Sequence, residues 1–512
     1  MTRLLPGVAL TLLAAGCGAA NAHHHTAKEP KLDVIGDWSD PEADLPVSRT
    51  PPMPGPEAAV HNPAAKPIAI THATIMTARG ETLKDATIVL DHGAITALGK
   101  DVAIPAGART VDGSGKFVTP GIIDVHSHIG VYAVPYVGAL ADGNEATNSN
   151  TADVRSEYGY YAQDPAITRA AAGGITTAQI LPGSANLIGG RGYVLVMKPG
   201  TSARDLHFPG APQTLKMACG ENPKRVYGEK GGPSTRMGEY AAFRAAFQAA
   251  AEYNAKLTAY KRDRALWLKK KARAAELDAK AGKDPRKHIT PEAAPAPVPV
   301  DRKLETLAGV LRGEILPQIH CYRADDIRQM VAIADEFGFH IRAFHHALEA
   351  YKVRDLLVKH GIAIATWADW WGFKMEAFDG IPENAALFQQ AGGRPTIHSD
   401  DPVGIQRLNQ EASKAMWAGR HAGIEVTDDQ ALRWITANPA WVLGIDQLTG
   451  TLEVGKRADV VLWSANPFSV YAAAELTIAG GQVTYDRTVG LVPTDFELGN
   501  SGIAGPAKGA SR

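Results

Sequence analysis

Between residues 117 and 443 the sequence alternates short apolar runs with amphipathic stretches, and this rhythm constrains the fold more than any other feature. The runs read FVTPGIIDVHSH, GITTAQIL, TLKMACGE, EILPQIHC, FHIRAFHH, GIAIATW and RPTIHSD. Segments such as PAITRAAAG and RADDIRQMVAIADEFG separate them with helical periodicity. Short buried strands joined by helices form parallel sheets covered on both faces. Those seven strands, with RGYVLVM as an eighth, predict an α/β chain. Its centre is a (β/α)8 TIM barrel over residues 117–445, whose functional groups gather at the C-terminal strand ends.

The flanks have a different texture. PIAITHATIMTARGETLKDATIVLDHGAITALG before the barrel gives β-rich runs broken by Gly and Asp turns, and GTLEVGKRADVVLW and ELTIAGGQVTYDR resume that texture after it. Residues 66–116 and 446–490 therefore predict one small antiparallel β-sheet (sandwich) domain assembled from both sides of the barrel, with 491–512 as a tail. Within the barrel, an Ala-rich, Lys/Arg-studded helical insertion spans about 236–300 and returns through the Pro-rich TPEAAPAPVPVDR. It reads as a solvated surface helix, a packing arm or a lid.

The N-terminus carries Arg3 and then an apolar stretch too short to span a bilayer. Residues 1–22 predict a signal peptide, and two cleavage signals compete. Ala20-Asn21-Ala22 fits small-x-small cleavage, whereas LAAGC resembles a lipoprotein box that would leave a lipid anchor on Cys17. Either way the chain is expected to be exported, to the periplasm or beyond. Residues 23–65, rich in Pro, Ala and His, read as a poorly ordered linker. A net charge of −1 argues against nucleic acid as a partner and leaves a small-molecule substrate; the sequence is compatible with a monomer or a homo-oligomer. Three cysteines imply no disulfide framework, and Cys219 and Cys321 read as small core residues.

His126 and His128 lie two apart on one strand and so face the same side, a spacing that suits one metal ion. His320, His345, His346 and Asp400 end later strands. Histidines and a carboxylate at successive strand ends are poor core filling and suit zinc or another divalent first-row metal.

Together, DVHSH, IHCYRADD, HHALEAYKV, HSDDP and the ending ALRWITANPAWVLGIDQLTGTLEVGKRADVVLW make the chain resemble the amidohydrolase superfamily, and within it the imidazolonepropionase-related branch. The likeness covers residues 66–487. It implies a hydrolase of C–N bonds holding one or two divalent ions. His126 and His128 would bind one, His320 and His346 would bind a second or contact substrate, and Asp400 would ligate metal and shuttle the proton. His346 is preferred to His345, which alternation turns the other way; His398 and Asp401 are secondary. For the remaining ligand the superfamily offers a carboxylated lysine or a glutamate, and TLKMACGENPK contains both Lys216 and Glu221. Glu221 is preferred because it stands at the strand end. Such a metal lowers the pKa of its water to about 7, Asp400 takes the proton, and His346 polarises the carbonyl.

Two loops complete the reading. LPGSANLIGGRG places Arg191 where it would meet a substrate carboxylate, or else forms only a tight Gly turn. TWADWWGFKMEAFDG brings Trp370, Trp371 and Phe373 to the barrel mouth, as a pocket wall or as closure.

Overall fold

The computed structural model describes residues 55–281, 292–370 and 372–491. The expected signal peptide with Cys17, the linker before residue 55, residues 282–291 of the insertion, Trp371 and residues 492–512 lie outside the described residues. Sixteen strands follow in chain order. The first five are β1 (Ile68–Met76), β2 (Thr82–Asp91), β3 (Ala94–Gly99), β4 (Arg109–Asp112) and β5 (Phe117–Pro120). Eight more form the barrel: β6 (Ile122–Ser127), β7 (Ile175–Ile180), β8 (Ile188–Val196), β9 (Gln213–Ala218), β10 (Ile315–Cys321), β11 (Ala343–His346), β12 (Ala363–Thr366) and β13 (Pro395–Ile397). The last are β14 (Val460–Trp463), β15 (Ala474–Ala479) and β16 (Gln482–Asp486).

The smaller sheet draws on both flanks, in the order β16-β15-β14-β5-β1-β2-β3, with β4 also on β1. Ile70, Ile75, Ile88, Val118, Val460 and Ile478 form its core, all fully buried. Each such side chain contributes about 1.5–3 kcal/mol on leaving water. The expected antiparallel sheet is in fact mixed. β1 runs parallel to β4 and β5, because residues 100–108 carry the chain back across the sheet before β4 begins. Residues 57–65, expected as linker, pack on this sheet: Asn62 Nδ2 donates to Gly480 O at 3.3 Å and Arg457 Nη1 to Ala59 O at 2.6 Å.

Gly121 alone separates β5 in the sheet from β6 in the barrel. A Cβ there would stand 2.1 Å from Thr176 Oγ1, so only glycine lets the chain pass between the two layers.

The barrel order is β6 through β13, and the strand pairs are parallel except around β8. That strand runs antiparallel to both β7 and β9. The departure from an all-parallel barrel is legible in the connection: residues 181–187 join β7 to β8, fewer than the dozen or so a parallel crossover requires. β13 and β6 are not paired as strands; the segment just after β13 reaches β6 through single bonds and leaves the ring nearly closed. Asp400 N–H donates to His126 O at 2.9 Å, and Ser399 N–H to Asp124 Oδ1 at 3.3 Å.

The insertion is one helix of 46 residues, α1 (Arg236–Ala281), about 69 Å long at 1.5 Å per residue. Phe243, Phe247 and Ala250 on its first half are fully buried in the barrel's outer core, where Phe247 stacks on Phe339 at 4.4 Å. Farther along, Trp267 Nε1–H donates to Glu292 O on the return segment at 2.7 Å. The first half is therefore a packing arm. Cys219 and Cys321, expected as separate core residues, form a disulfide with Cα atoms 5.4 Å apart. Cys321 ends β10 and Cys219 directly follows β9, and the register that pairs Ala218 with His320 puts them side by side.

Candidate active site

β6 supplies the base of the site. All six of its residues are buried, and Asp124 and His126 share a face because they are two apart. The Asp124 carboxylate accepts from His126 N–H at 3.1 Å, from Ser399 N–H and from the Ser399 hydroxyl. Burial pushes the Asp124 carboxyl up to about 7 despite those bonds. This clasp ties β6 to the segment after β13 and sets Asp400 over the two histidines. Asp400 Oδ1 lies 3.1 Å from His128 Nε2 and 3.4 Å from His126 Nε2, and the two Nε2 atoms are 3.3 Å apart. His128 Nδ1 is 2.8 Å from Leu181 O, an outer contact of the kind that fixes a ligating tautomer. Burial would raise the Asp400 carboxyl, but the hydrogen bond from His128 and the nearby Lys216 ammonium help hold it below the usual range.

The histidines at the ends of β10 and β11 and just after β13 converge on the same centre. The His126 ring centroid lies 4.8 Å from that of His346 and 5.0 Å from that of His398; His320 and His346 are 4.4 Å apart. Two sets have donor atoms mutually close enough to share an ion: His126, His346 and His398, and His126, His128 and Asp400. Burial holds His126, His320 and His346 well below their ordinary pKa and His398 down at about 3, so the imidazoles are neutral, as ligation requires. Among the described residues, His346 Nδ1 and both nitrogens of His320 and His398 are buried with no hydrogen-bond partner. Uncompensated burial of polar nitrogens is costly, and a divalent ion would take up one nitrogen of a ring it binds, the other keeping its proton, so these residues fit one.

Strand alternation does not turn His345 away. Its Nδ1 stands 2.9 Å from His126 Nδ1 and its Nε2 2.6 Å from Gln318 Oε1, inside the barrel. His346 still faces the mouth because it adopts φ +67°, followed by Ala347 at +42°, and Asp400 has φ +57°. Left-handed backbone at three non-glycine positions of one site is strain held by its surroundings.

Glu221 is not brought into the cluster. β9 ends at Ala218, and Glu221 opens the next helix, Glu221–Tyr227, which precedes the long arm. Its N–H donates to Glu376 Oε1 at 2.7 Å. Lys216, the less favoured alternative, is there instead: Nζ is 3.3 Å from His126 Nε2 and donates to Pro182 O at 3.1 Å. Full burial pulls its ammonium down to about 8. Arg191 also stands apart, its guanidinium donating to Thr306 Oγ1 at 2.9 and 3.1 Å on the helix behind β8.

Besides the expected Trp370 and Phe373, residues not singled out in the sequence complete the mouth. Trp367 stacks on His346 at 4.4 Å and Tyr322 stacks on the same ring at 5.0 Å; Trp370 on Trp367 and Phe373 beside Tyr322 continue this wall. Arg236, at the start of α1, holds Asp326 at 2.9 Å and also binds Glu376. Glu239 accepts from Gly220 N–H at 2.9 Å. The arm thus pins the segments that follow β9, β10 and β12. A run of histidines signals ligands; nothing in the local sequence signals these distant partners.

Residues 340–485 match the model of a family described as the amidohydrolase family. An amidohydrolase of known structure from Thermotoga maritima is 33% identical, with a TM-score of 0.69, over 82% of this chain and all of that one. The "Amidohydrolase tasK" of Hapsidospora irregularis is 34% identical over 79% of this chain, which spans only 40% of that protein. A dihydroorotase of Geobacter sulfurreducens is 44% identical over 59 residues, 12% of this chain and 14% of that protein.

Proposed function

Since the chain belongs to the amidohydrolase family of hydrolases, we propose that it cleaves a C–N bond of an amide, cyclic amide or dipeptide-like compound with the help of one or two divalent ions, zinc being the ion best suited to the donors. The observation that carries this reading is the set of buried histidine nitrogens without partners among the described residues, gathered around His126 and His346, with Asp400 against His126 and His128. His126, His128 and Asp400 would hold one ion, and His346, His398 and His320 are disposed for a second or for substrate. Lys216, not Glu221, is the side chain standing against His126, so we adopt the carboxylated-lysine variant over the glutamate. When bound, such an ion supplies Lewis acidity and lowers the pKa of water toward 7.

The chain's own groups do the rest. Asp400, an ionised carboxylate at neutral pH, accepts a proton from the attacking water and delivers it to the leaving nitrogen as the C–N bond breaks. His346 polarises the carbonyl oxygen and stabilises the charge that develops there. Trp367 and Tyr322 cover the histidines and exclude water from them.

Imidazolone-ring opening, the activity of the branch the sequence resembles, is a second reading; export counts against it. The Cys219–Cys321 disulfide supports export, with or without lipid on Cys17, because disulfides persist in oxidising compartments. The reading is tested with Asp400→Asn on a panel of N-acyl amino acids, dipeptides and cyclic amides. Turnover should vanish while much of the metal remains. Undiminished activity in that variant contradicts the proposed role.

A further inference from the structure

A cavity of about 220 Å³ opens beside His128 and runs to Arg225 on the helix Glu221–Tyr227. Tyr132, Asn144, Ser184 and Asn222 line it between those two ends. The volume is below the roughly 300–1,000 Å³ of pockets for drug-sized ligands, so it suits a group the size of one amino-acid residue.

Its walls are fixed. Tyr132 O–H donates to Asn144 Oδ1 at 2.8 Å, and Asn144 Nδ2 to Asn186 Oδ1 at 2.9 Å. Asn186 Nδ2 lies within 2.7–3.1 Å of Glu145 O, Asn148 O, Thr151 Oγ1 and the Tyr227 hydroxyl. Across the cavity Asn222 Nδ2 donates to Ser184 Oγ at 2.8 Å.

The charge inside is one-sided. No carboxylate lines the cavity, and Arg225 is its one Arg or Lys. Lys374 lies just outside, donating to Asn222 Oδ1 at 3.1 Å, but its charge is already met by Glu376 at 3.3 Å. Among the described residues Arg225 has no ion pair of its own, although Glu221 stands one turn earlier on the same helix. Arg191, the arginine expected at a substrate carboxylate, is held by Thr306 behind the barrel.

We propose that Arg225 receives a carboxylate on the substrate, so that the amides cleaved are those of a small amino acid bearing its free carboxyl group, seated between His128 and Arg225. The proposal deepens the hydrolase reading and rests on it. A guanidinium pairs with a carboxylate through two parallel N–H···O bonds, which neither a neutral amide nor an ammonium reproduces.

The test uses the full chain and two probes, N-methanesulfonyl-alanine, which has no cleavable amide, and its methylamide. Calorimetry on wild type should show the acid binding on the order of 10- to 100-fold tighter than the methylamide. That ratio should collapse towards one in Arg225→Gln and be partly restored in Arg225→Lys. In hydrolysis of N-acetyl-alanine against N-acetyl-alanine methylamide, the kcat/KM preference should follow the same order. Equal binding of both probes to wild type, or a preference that survives in Arg225→Gln, overturns the proposal. Wild type that cleaves both N-acetyl compounds equally well overturns it too and leaves the hydrolase reading standing. Wild type that binds the acid selectively yet cleaves no amide upholds the carboxylate site and counts against the hydrolase reading instead.

Discussion

Replacing both Cys219 and Cys321 by serine should cost this protein several kcal/mol without removing any side chain from the metal centre. The disulfide joins residues 102 apart, and closing a loop of ~100 residues lowers the entropy of the unfolded chain by the equivalent of about 4.7 kcal/mol. At ~2.1 cal/mol/K per residue, the roughly 430 described residues have an unfolding entropy of about 0.9 kcal/mol/K. The melting temperature should therefore fall by about 5 °C. The bridge also sits at the site: Cys219 N–H donates to His320 O at 2.9 Å, and Cys321 pairs with His346 in the sheet register. Calorimetry of oxidised wild type, reduced wild type and the double variant checks this, with thiol titration of the denatured protein. Reduced wild type should match the double variant. A shift below about 1 °C, or two free thiols in protein never exposed to reductant, refutes the reasoning.

Two further perturbations probe the arm. Phe247→Ala should cost about 3–5 kcal/mol, because Phe247 is fully buried and stacked on Phe339; a loss under about 1 kcal/mol in chemical denaturation would mean that α1 is not packed as described. Burial raises the Glu239 carboxyl to about 7, and its Oε1 has no hydrogen-bond partner among the described residues. The unfolded chain ionises this group above about 4.5 while the folded chain keeps it protonated, so stability falls as pH rises between those values and the loss is complete above 7. Glu239→Gln, which can still accept from Gly220 N–H, should recover up to about 3 kcal/mol at pH 8 and little at pH 4. An unchanged pH dependence of the denaturation midpoint contradicts that assignment.

Periodicity made the barrel, the two-sided origin of the smaller sheet and the convergence of His126, His128, His346 and Asp400 legible, because each follows from where a strand ends and which way its residues alternate. The rest depended on backbone detail that pattern does not encode. Alternation fails at His346 because the strand ends there in left-handed backbone, so His345 and His346 both reach the interior. Being near a strand end favoured Glu221, yet the chain turns at Gly220 and spends the Glu221 N–H on Glu376, while Lys216 reaches His126 from inside the strand. The reversal of β8 was written in a short connection that a count of strands passes over. Pairing of Cys219 with Cys321, and of Arg236 with Asp326 and Glu376, joins residues far apart in sequence that only the register of β9, β10 and α1 brings together.

The most direct test of the central claim is the metal content of the purified protein by elemental mass spectrometry, for wild type, Lys216→Ala and Glu221→Gln. Wild type should hold one or two divalent ions per chain, Glu221→Gln the same number, and Lys216→Ala clearly fewer. Loss in Glu221→Gln with retention in Lys216→Ala would reverse the choice of ligand, and a wild type that holds no metal after reconstitution would contradict the metal centre itself.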